Sequence, residues 1–264
     1  MARELASPEA TAKPLLRNSW RDAKAVALAR GDLAACFRMA ARLGLQEGIC
    51  NHFSAVVPGH PDLFLVNPYG LSFAEVTASS LLVCDWEGNV LEGDGVPEAT
   101  AFYIHARLHK HKPQARAAFH THMPYATALS MIEGPPFVWA GQSSLKFYGR
   151  VAVDEKYNGL ALDEAEGDRI AASVGDANIV FMKNHGVMVL GASIAEAWDD
   201  LYYLERAAQA QLLAMSSGRP LLPIPDEIAS RVATQIAVGQ GESARLHLES
   251  VKRILEREDP AFLA

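Results

Sequence analysis

Cysteine is scarce in this chain. Its 264 residues hold three, Cys36, Cys50 and Cys84, odd in number and too scattered for a zinc ribbon or a disulfide framework. A reducing compartment, the cytoplasm, suits such a chain. Long apolar runs are lacking too. None approaches the roughly 20 residues of a membrane span, and residues 1–20, broken by Pro8 and Pro14, have no apolar stretch of the secretory-leader kind. No membrane partner is expected. Basic excess is also missing: 24 Lys and Arg stand against 31 Asp and Glu, a formal net charge of −7 at pH 7. A nucleic-acid binder would show the opposite balance. The chain has no glycine-rich phosphate loop of the nucleotide-binding types.

What the chain does have is apolar mass, 50% of its residues, enough for a sizeable core. A helix is expected over Leu33–Leu43, capped by Asp32 and closed by Gly44. Ser54–Val57 and Leu63–Val66 read as strands joined through Pro58-Gly59-His60-Pro61. Leu81–Asp85 and Val90–Glu92 flank a hairpin signal at Glu87-Gly88-Asn89. Pro97 suits the first turn of a helix running to Pro113. A strand around His120 follows, then a helix over Pro124–Met131 and an irregular stretch from Pro135. Ile179–Met182 and Val187–Leu190 are strands. Ser193 caps a long helix to about Met215. After Pro220, Pro223 and Pro225 come helices over about 226–237 and 242–257. Alternating strands and helices give an α/β class, and hairpin-linked strands suggest an antiparallel or mixed sheet. The expected organisation is an arm over 1–27, a body over 28–215, and a helical extension over 216–264 packed on that body.

The chemistry concentrates at His120-Thr121-His122. Side chains at i and i+2 of a strand share a face, so both imidazoles can reach one cation. His185 ends another apolar run, just before Gly186. Three imidazoles with an open position describe a catalytic rather than a structural divalent site. Zinc, manganese or iron are the candidate cations.

The order of four segments resembles the class II aldolase/adducin family: Gly48-Ile49-Cys50-Asn51-His52-Phe53-Ser54, Asn67-Pro68-Tyr69-Gly70, His105 through His122, and Asn184-His185-Gly186. The likeness covers about residues 28–215. It implies a three-layer α/β/α fold with a central, mostly antiparallel sheet. It also implies metal ligands at His120, His122 and His185, and a homotetramer with sites at subunit contacts. Its substrate-binding segments fall on Asn51, His52, Tyr69, Gly70 and Thr100. His52 lines the pocket, adds to the metal shell or does neither. A tyrosine from a neighbouring subunit donates a proton in the family's aldolases, and Tyr148 and Tyr157 are the candidates. Arg150 has a planar fork that matches a substrate carboxylate, though a structural ion pair would use it equally well.

The departures from the family pattern matter as much. Counted back from His120 without a gap, the position of the aldolases' catalytic glutamate is Ala101, which has no titratable group. Glu98 lies one helical turn earlier and is expected to point along the helix rather than at the metal. Of the family's paired phosphate-binding serines, Ala99 and Thr100 leave one hydroxyl, so a sugar phosphate is not the expected substrate. Adducin heads also depart from the metal pattern, but all three histidines are kept here. His105 reads as a packing or metal-supporting residue, His109 and His111 as part of a solvated basic helix end, and Tyr202-Tyr203 as helix packing. The reading that results is a divalent-metal-dependent lyase. It would act on a C–C bond next to a carbonyl of a small oxo or hydroxy acid, by decarboxylation or retro-aldol cleavage. A non-haem iron oxygenase on the same histidines and a non-catalytic adducin-like interaction module are the alternatives.

Overall fold

The computed structural model describes residues 24–264. The arm expected over 1–27 therefore lies outside the described residues except for 24–27, which are helical. Helix α1 spans Lys24–Arg42 and buries Val26, Leu33, Cys36, Phe37 and Ala40 along one side. It thus begins before the expected cap. Asp32 sits within the helix, where its carboxylate takes Lys252 Nζ at 2.5 Å, so a distant lysine and not a free N–H is its partner. Gly44, at φ 66°, closes the helix; a left-handed residue there is most cheaply a glycine.

Strands β1 (His52–Val57), β2 (His60–Val66), β3 (Leu82–Asp85) and β4 (Val90–Glu92) follow as hairpins. Helix α2 (Ala99–His111) starts two residues after Pro97. Glu98 is extended and its carboxylate accepts the free N–H of Ala101, so the cap, not the proline, sets the start. Then come β5 (Ala117–Thr121), α3 (Pro124–Ser130), a 3-10 turn over Gln142–Phe147, β6 (Val151–Asp154), α4 (Glu164–Ser173), β7 (Ile179–Met182), β8 (Gly186–Gly191) and α5 (Ile194–Met215). Ser193 caps α5 as expected, through the Glu196 N–H. Helices α6 (Asp226–Ala237) and α7 (Gln240–Glu258) end the chain with a turn over Pro260–Leu263.

The strands form one eight-stranded sheet in the order β4-β3-β2-β1-β5-β8-β7-β6. Every pair is antiparallel except β6 with β7. Helices cover both faces, which gives the three layers. On one face Phe53, Ala55, Ala117 and Phe119 join Phe37, Leu201, Leu204 and, from the C-terminal segment, Leu248, Val251, Leu255 and Phe262. On the other face Ala118, Val180 and Met188 pack against Ile104 and Leu108 of α2 and Ile170 of α4. Single strands feed both layers by alternation. β5 sends Ala117 and Phe119 one way and Ala118 the other.

Candidate metal centre

The central strands β1 and β5 pair antiparallel with His52 opposite His120 and Ser54 opposite Ala118. On β5 the next same-face position after His120 is His122, just beyond the strand end. The turn from β7 to β8 brings in the third imidazole. Asn184 takes up a left-handed backbone, φ 57°, which asparagine tolerates better than most residues. Gly186 allows β8 to approach: a Cβ there would lie 2.7 Å from the Thr121 carbonyl oxygen and 2.8 Å from His122 Cδ2. Asn184 thus has a local backbone reason, and Gly186 a tertiary one, the close approach of β5.

His120, His122 and His185 converge so that one ligand atom from each lies within 4.8 Å of the others. Their ring centroids are 4.8 to 5.0 Å apart. The hydrogen bonds fix two tautomers. His120 Nδ1 donates to the Val187 carbonyl at 2.9 Å, and His122 Nδ1 donates to Glu47 Oε2 at 2.5 Å. Each neutral ring then carries its lone pair on Nε2, and those two nitrogens face each other at 3.2 Å. Two lone pairs so placed repel unless a proton or a metal cation lies between them. Two nitrogens about 2.0–2.1 Å from one tetrahedral ion sit roughly 3.3 Å apart, so the donor set fits a divalent cation. Burial and the neighbouring His185 push the His120 pKa well below its ordinary value. Burial with His122 lowers His185 to about 4. Neutral imidazole is the form that ligates metal.

A polar track leads away from the cluster beneath α2. The His52 ring stacks on His120 and meets His105 edge-on, both at 5.7 Å between centroids. Ser54 Oγ lies 2.5 Å from His105 Nδ1 and 2.7 Å from His109 Nε2, and His109 Nδ1 donates to the Ala115 carbonyl. His109 is therefore not on a solvated helix end. It is 3% exposed, and burial lowers its pKa to about 4. His111 does reach solvent, beside Asp168. The spacing of His105 and His109, four residues apart in one helix, is the sequence signal that would have placed both on one face.

Glu98 does not point along its helix. Its Oε2 turns back to accept from Ala101 N at 2.9 Å and from the Thr100 hydroxyl, and it lies 3.5 Å from His52 Nε2. That last approach is a near contact rather than a formed hydrogen bond, since neither His52 nitrogen has a hydrogen-bond partner; burial lowers the His52 pKa and so favours the neutral ring. Burial alone would raise the Glu98 pKa, but His52, Thr100 and the Ala101 N–H outweigh it and hold the carboxyl at about 2. Ala101 itself is buried.

The other expected site residues divide. Asn51 is buried against the cluster; its Oδ1 accepts from Glu47 N at 2.7 Å and His122 N at 3.4 Å, and its Nδ2 has no partner. Asn67 Nδ2 donates to the Asn51 carbonyl. Tyr69 is exposed, with its N–H on the Val96 carbonyl, and Gly70 beside it has φ 96°. Tyr157 stands half-exposed with its ring 6.2 Å from that of His185, in the same chain. Tyr148 packs edge-on against Trp139, and burial together with Asp226 raises its pKa. Arg150 donates to Asp200 Oδ2 and the Lys146 carbonyl. It belongs to an ion cluster with Lys146, Asp199 and His247, so a structural ion pair, not a free carboxylate clamp, is what the chain makes of it. Glu47 was not legible in advance. It lies 75 positions from His122, and nothing in its local sequence marks it.

Among known proteins, the family model described as Class II Aldolase and Adducin N-terminal domain matches residues 31–212. A putative aldolase class 2 protein of Caulobacter vibrioides is 37% identical over 239 residues, covering 89% of this chain and 91% of that one. Decarboxylase NovR of Streptomyces niveus is 31% identical over 77% of this chain and 75% of its own length. A 4-hydroxy-3-prenylphenylpyruvate oxygenase/4-hydroxy-3-prenylbenzoate synthase of Streptomyces roseochromogenus is 31% identical over 77% and 73%. Among solved structures, an aldolase II superfamily protein from Pseudomonas syringae superposes with a TM-score of 0.86 at 33% identity, covering 92% of this chain and 98% of the other. L-fuculose 1-phosphate aldolase from Glaciozyma antarctica gives 0.79 at 26% identity, covering 88% and 92%.

Proposed function

The chain belongs to the class II aldolase and adducin family, and within it we propose a divalent-metal-dependent lyase that cleaves a C–C bond next to a carbonyl in a small oxo or hydroxy acid. The observation that carries this reading is the convergence of three imidazoles within 4.8 Å, with the Nε2 atoms of His120 and His122 3.2 Å apart and each of those two rings anchored through its Nδ1. His120, His122 and His185 would hold the cation. Once bound, it supplies Lewis acidity towards a substrate oxygen. The surrounding residues then bind and orient. Asn51, with an unpartnered amide, and His52, Tyr69, Gly70 and Thr100 form the substrate side. Tyr157, beside His185, is the group in reach to hand a proton to the new carbanion carbon; Tyr148 and Arg150 are bound up elsewhere.

The missing carboxylate at Ala101 favours decarboxylation over aldol cleavage. A retro-aldol step needs a group to take the hydroxyl proton. Loss of carbon dioxide needs none at the outset, because the departing carboxylate leaves its electron pair behind. The decarboxylase name of one relative supports this choice. Loss of a phosphate-binding hydroxyl at Ala99 argues against sugar phosphates. We assign the protein to the cytoplasm, where its free thiols are kept reduced. We further expect a homotetramer: Val96, Leu160 and Leu162 stand exposed on segments flanking the site.

A second reading, a non-haem iron oxygenase, is favoured by one relative's oxygenase name and by a ligand set of three imidazoles. One assay separates the two. The protein is purified anaerobically, reconstituted in turn with zinc, manganese and ferrous iron, and offered a panel of aliphatic and aromatic oxo and hydroxy acids. Carbon dioxide or aldehyde release without oxygen uptake is the expected result. Turnover that requires iron and consumes oxygen would replace the lyase by the oxygenase. Full binding of a partner protein by a histidine-free variant, with no turnover of any acid, would favour the interaction module.

A further inference from the structure

Glu47 stands in the segment between α1 and β1, and its side chain is largely exposed. Surface carboxylates of this kind ordinarily do little. This one differs in its partner and its anchorage. Its Oε2 accepts the Nδ1 proton of His122 at 2.5 Å. Its own backbone N–H donates to Asn51 Oδ1, the same oxygen that takes the backbone N–H of His122. One asparagine thus clamps the main chain at both ends of the Glu47–His122 contact. The main chains that carry the carboxylate and the ring are held side by side through a buried side chain, since Asn51 is 1% exposed.

We infer that Glu47 is a positioning residue for the metal centre: it holds His122 in the tautomer whose Nε2 lone pair faces His120 and the shared cation. The inference rests on the three-histidine reading above. Its physical basis is general. A ligating imidazole has two nitrogens, and the hydrogen bond made by one decides which presents a lone pair and in what orientation. A carboxylate acceptor also makes the ring more basic and a better donor to the metal, and removing such a partner costs about 10–100-fold in metal affinity. The two candidate ligands on β5 use different devices for the same end. His120 is fixed by a neighbouring strand through the Val187 carbonyl. His122 lies past the strand end, where no ladder carbonyl takes its Nδ1, and a side chain does this instead.

The test uses the full chain, stripped of metal with a chelator and titrated with zinc and cobalt(II) against a chromophoric competitor. Wild type, Glu47→Ala, Glu47→Gln and Glu47→Asp are compared, with Glu256→Gln as an exposed-carboxylate control. Unchanged metal-free thermal melting shows that each variant folds. Glu47→Ala is expected to weaken affinity by about 10–100-fold, Glu47→Gln less, because its amide oxygen still accepts, and Glu47→Asp to restore much of the loss. The visible spectrum of the cobalt form should shift in Glu47→Ala and not in the control, which a merely structural role would not produce. Wild-type affinity with an unchanged cobalt spectrum in Glu47→Ala would overturn the role of Glu47 while leaving the metal centre intact. Failure of wild type itself to bind either metal would overturn both.

Discussion

Strands β1 and β5 carry two different proteins on their two faces. On one face Phe53 and Phe119 stack at 4.1 Å between ring centroids, and Phe37 and Phe73 close around them. On the other face, one residue along, lie His52, Ser54 and His120 with His105 and His109 above them. The aromatic face has no polar atom to satisfy and gains from every buried ring. The histidine face holds buried nitrogens without partners, at His52 and at His105 Nε2, each of which costs free energy. The aromatic layer offsets that cost. Apolar packing and the candidate metal site are separated here by a single peptide unit, because alternation in a strand sends neighbours to opposite sides.

Four measurements would break or sharpen this contrast. The largest effect is expected from His122→Ala. It should lose most bound metal, read by elemental analysis, while far-ultraviolet circular dichroism stays native. Full metal occupancy in that variant would end the assignment of chemistry to this face. Next, Phe119→Ala should destabilise the fold by about 3–5 kcal/mol, seen as a lower denaturant midpoint, with metal still bound by the folded fraction. A loss below about 1 kcal/mol would mean that the aromatic layer does not bear the stability ascribed to it.

The third effect is acid sensitivity. His109 titrates at about 4 in the fold and near 6.5 when unfolded. Between those values the unfolded chain binds the extra proton, so stability is full above pH 6.5 and falls as pH drops towards 4. The difference corresponds to roughly 3 kcal/mol. Chemical denaturation at a series of pH values should show the decline in wild type and a shallower one in His109→Gln. A flat profile would remove the cost ascribed to the histidine face. The smallest effect is expected from Glu98→Gln. Glutamine can still cap α2, so the stability loss should stay below about 1 kcal/mol, with metal content and turnover little changed. A hundredfold rate loss at full metal content would instead make Glu98, through its contact with His52, the acid–base group that Ala101 cannot be.

The patterns that were legible are those written over a few residues. The strand around His120, the cap at Ser193, Pro124 opening α3 and the central antiparallel hairpins all follow from local spacing and turn chemistry. β6 and α4 fell in a stretch read as irregular. β6 is four residues long, and its one pairing partner is β7, distant in sequence. α4 did carry a signal, Asp163 capping the N–H of Glu166, in a sequence too polar to show an apolar stripe. The extra length of α1 was hidden because Asp32 looks like a start when its real partner, Lys252, is 220 positions away.

By itself the sequence determined the alternation in β5, and hence that His120 and His122 share a face. It also determined the left-handed turn residue Asn184, whose backbone need is local, and the absence of a carboxylate at Ala101. His185 was already joined to them by its place before Gly186 and by the family resemblance; only the tertiary structure decided that Asn51 holds the main chains of Glu47 and His122 together, that His109 is buried, and that Arg150 belongs to Asp200. The reason is range. Periodicity and capping act within a turn or two of chain, whereas a hydrogen bond between residues 75 positions apart exists only once eight strands have set their register, and no local pattern encodes that register.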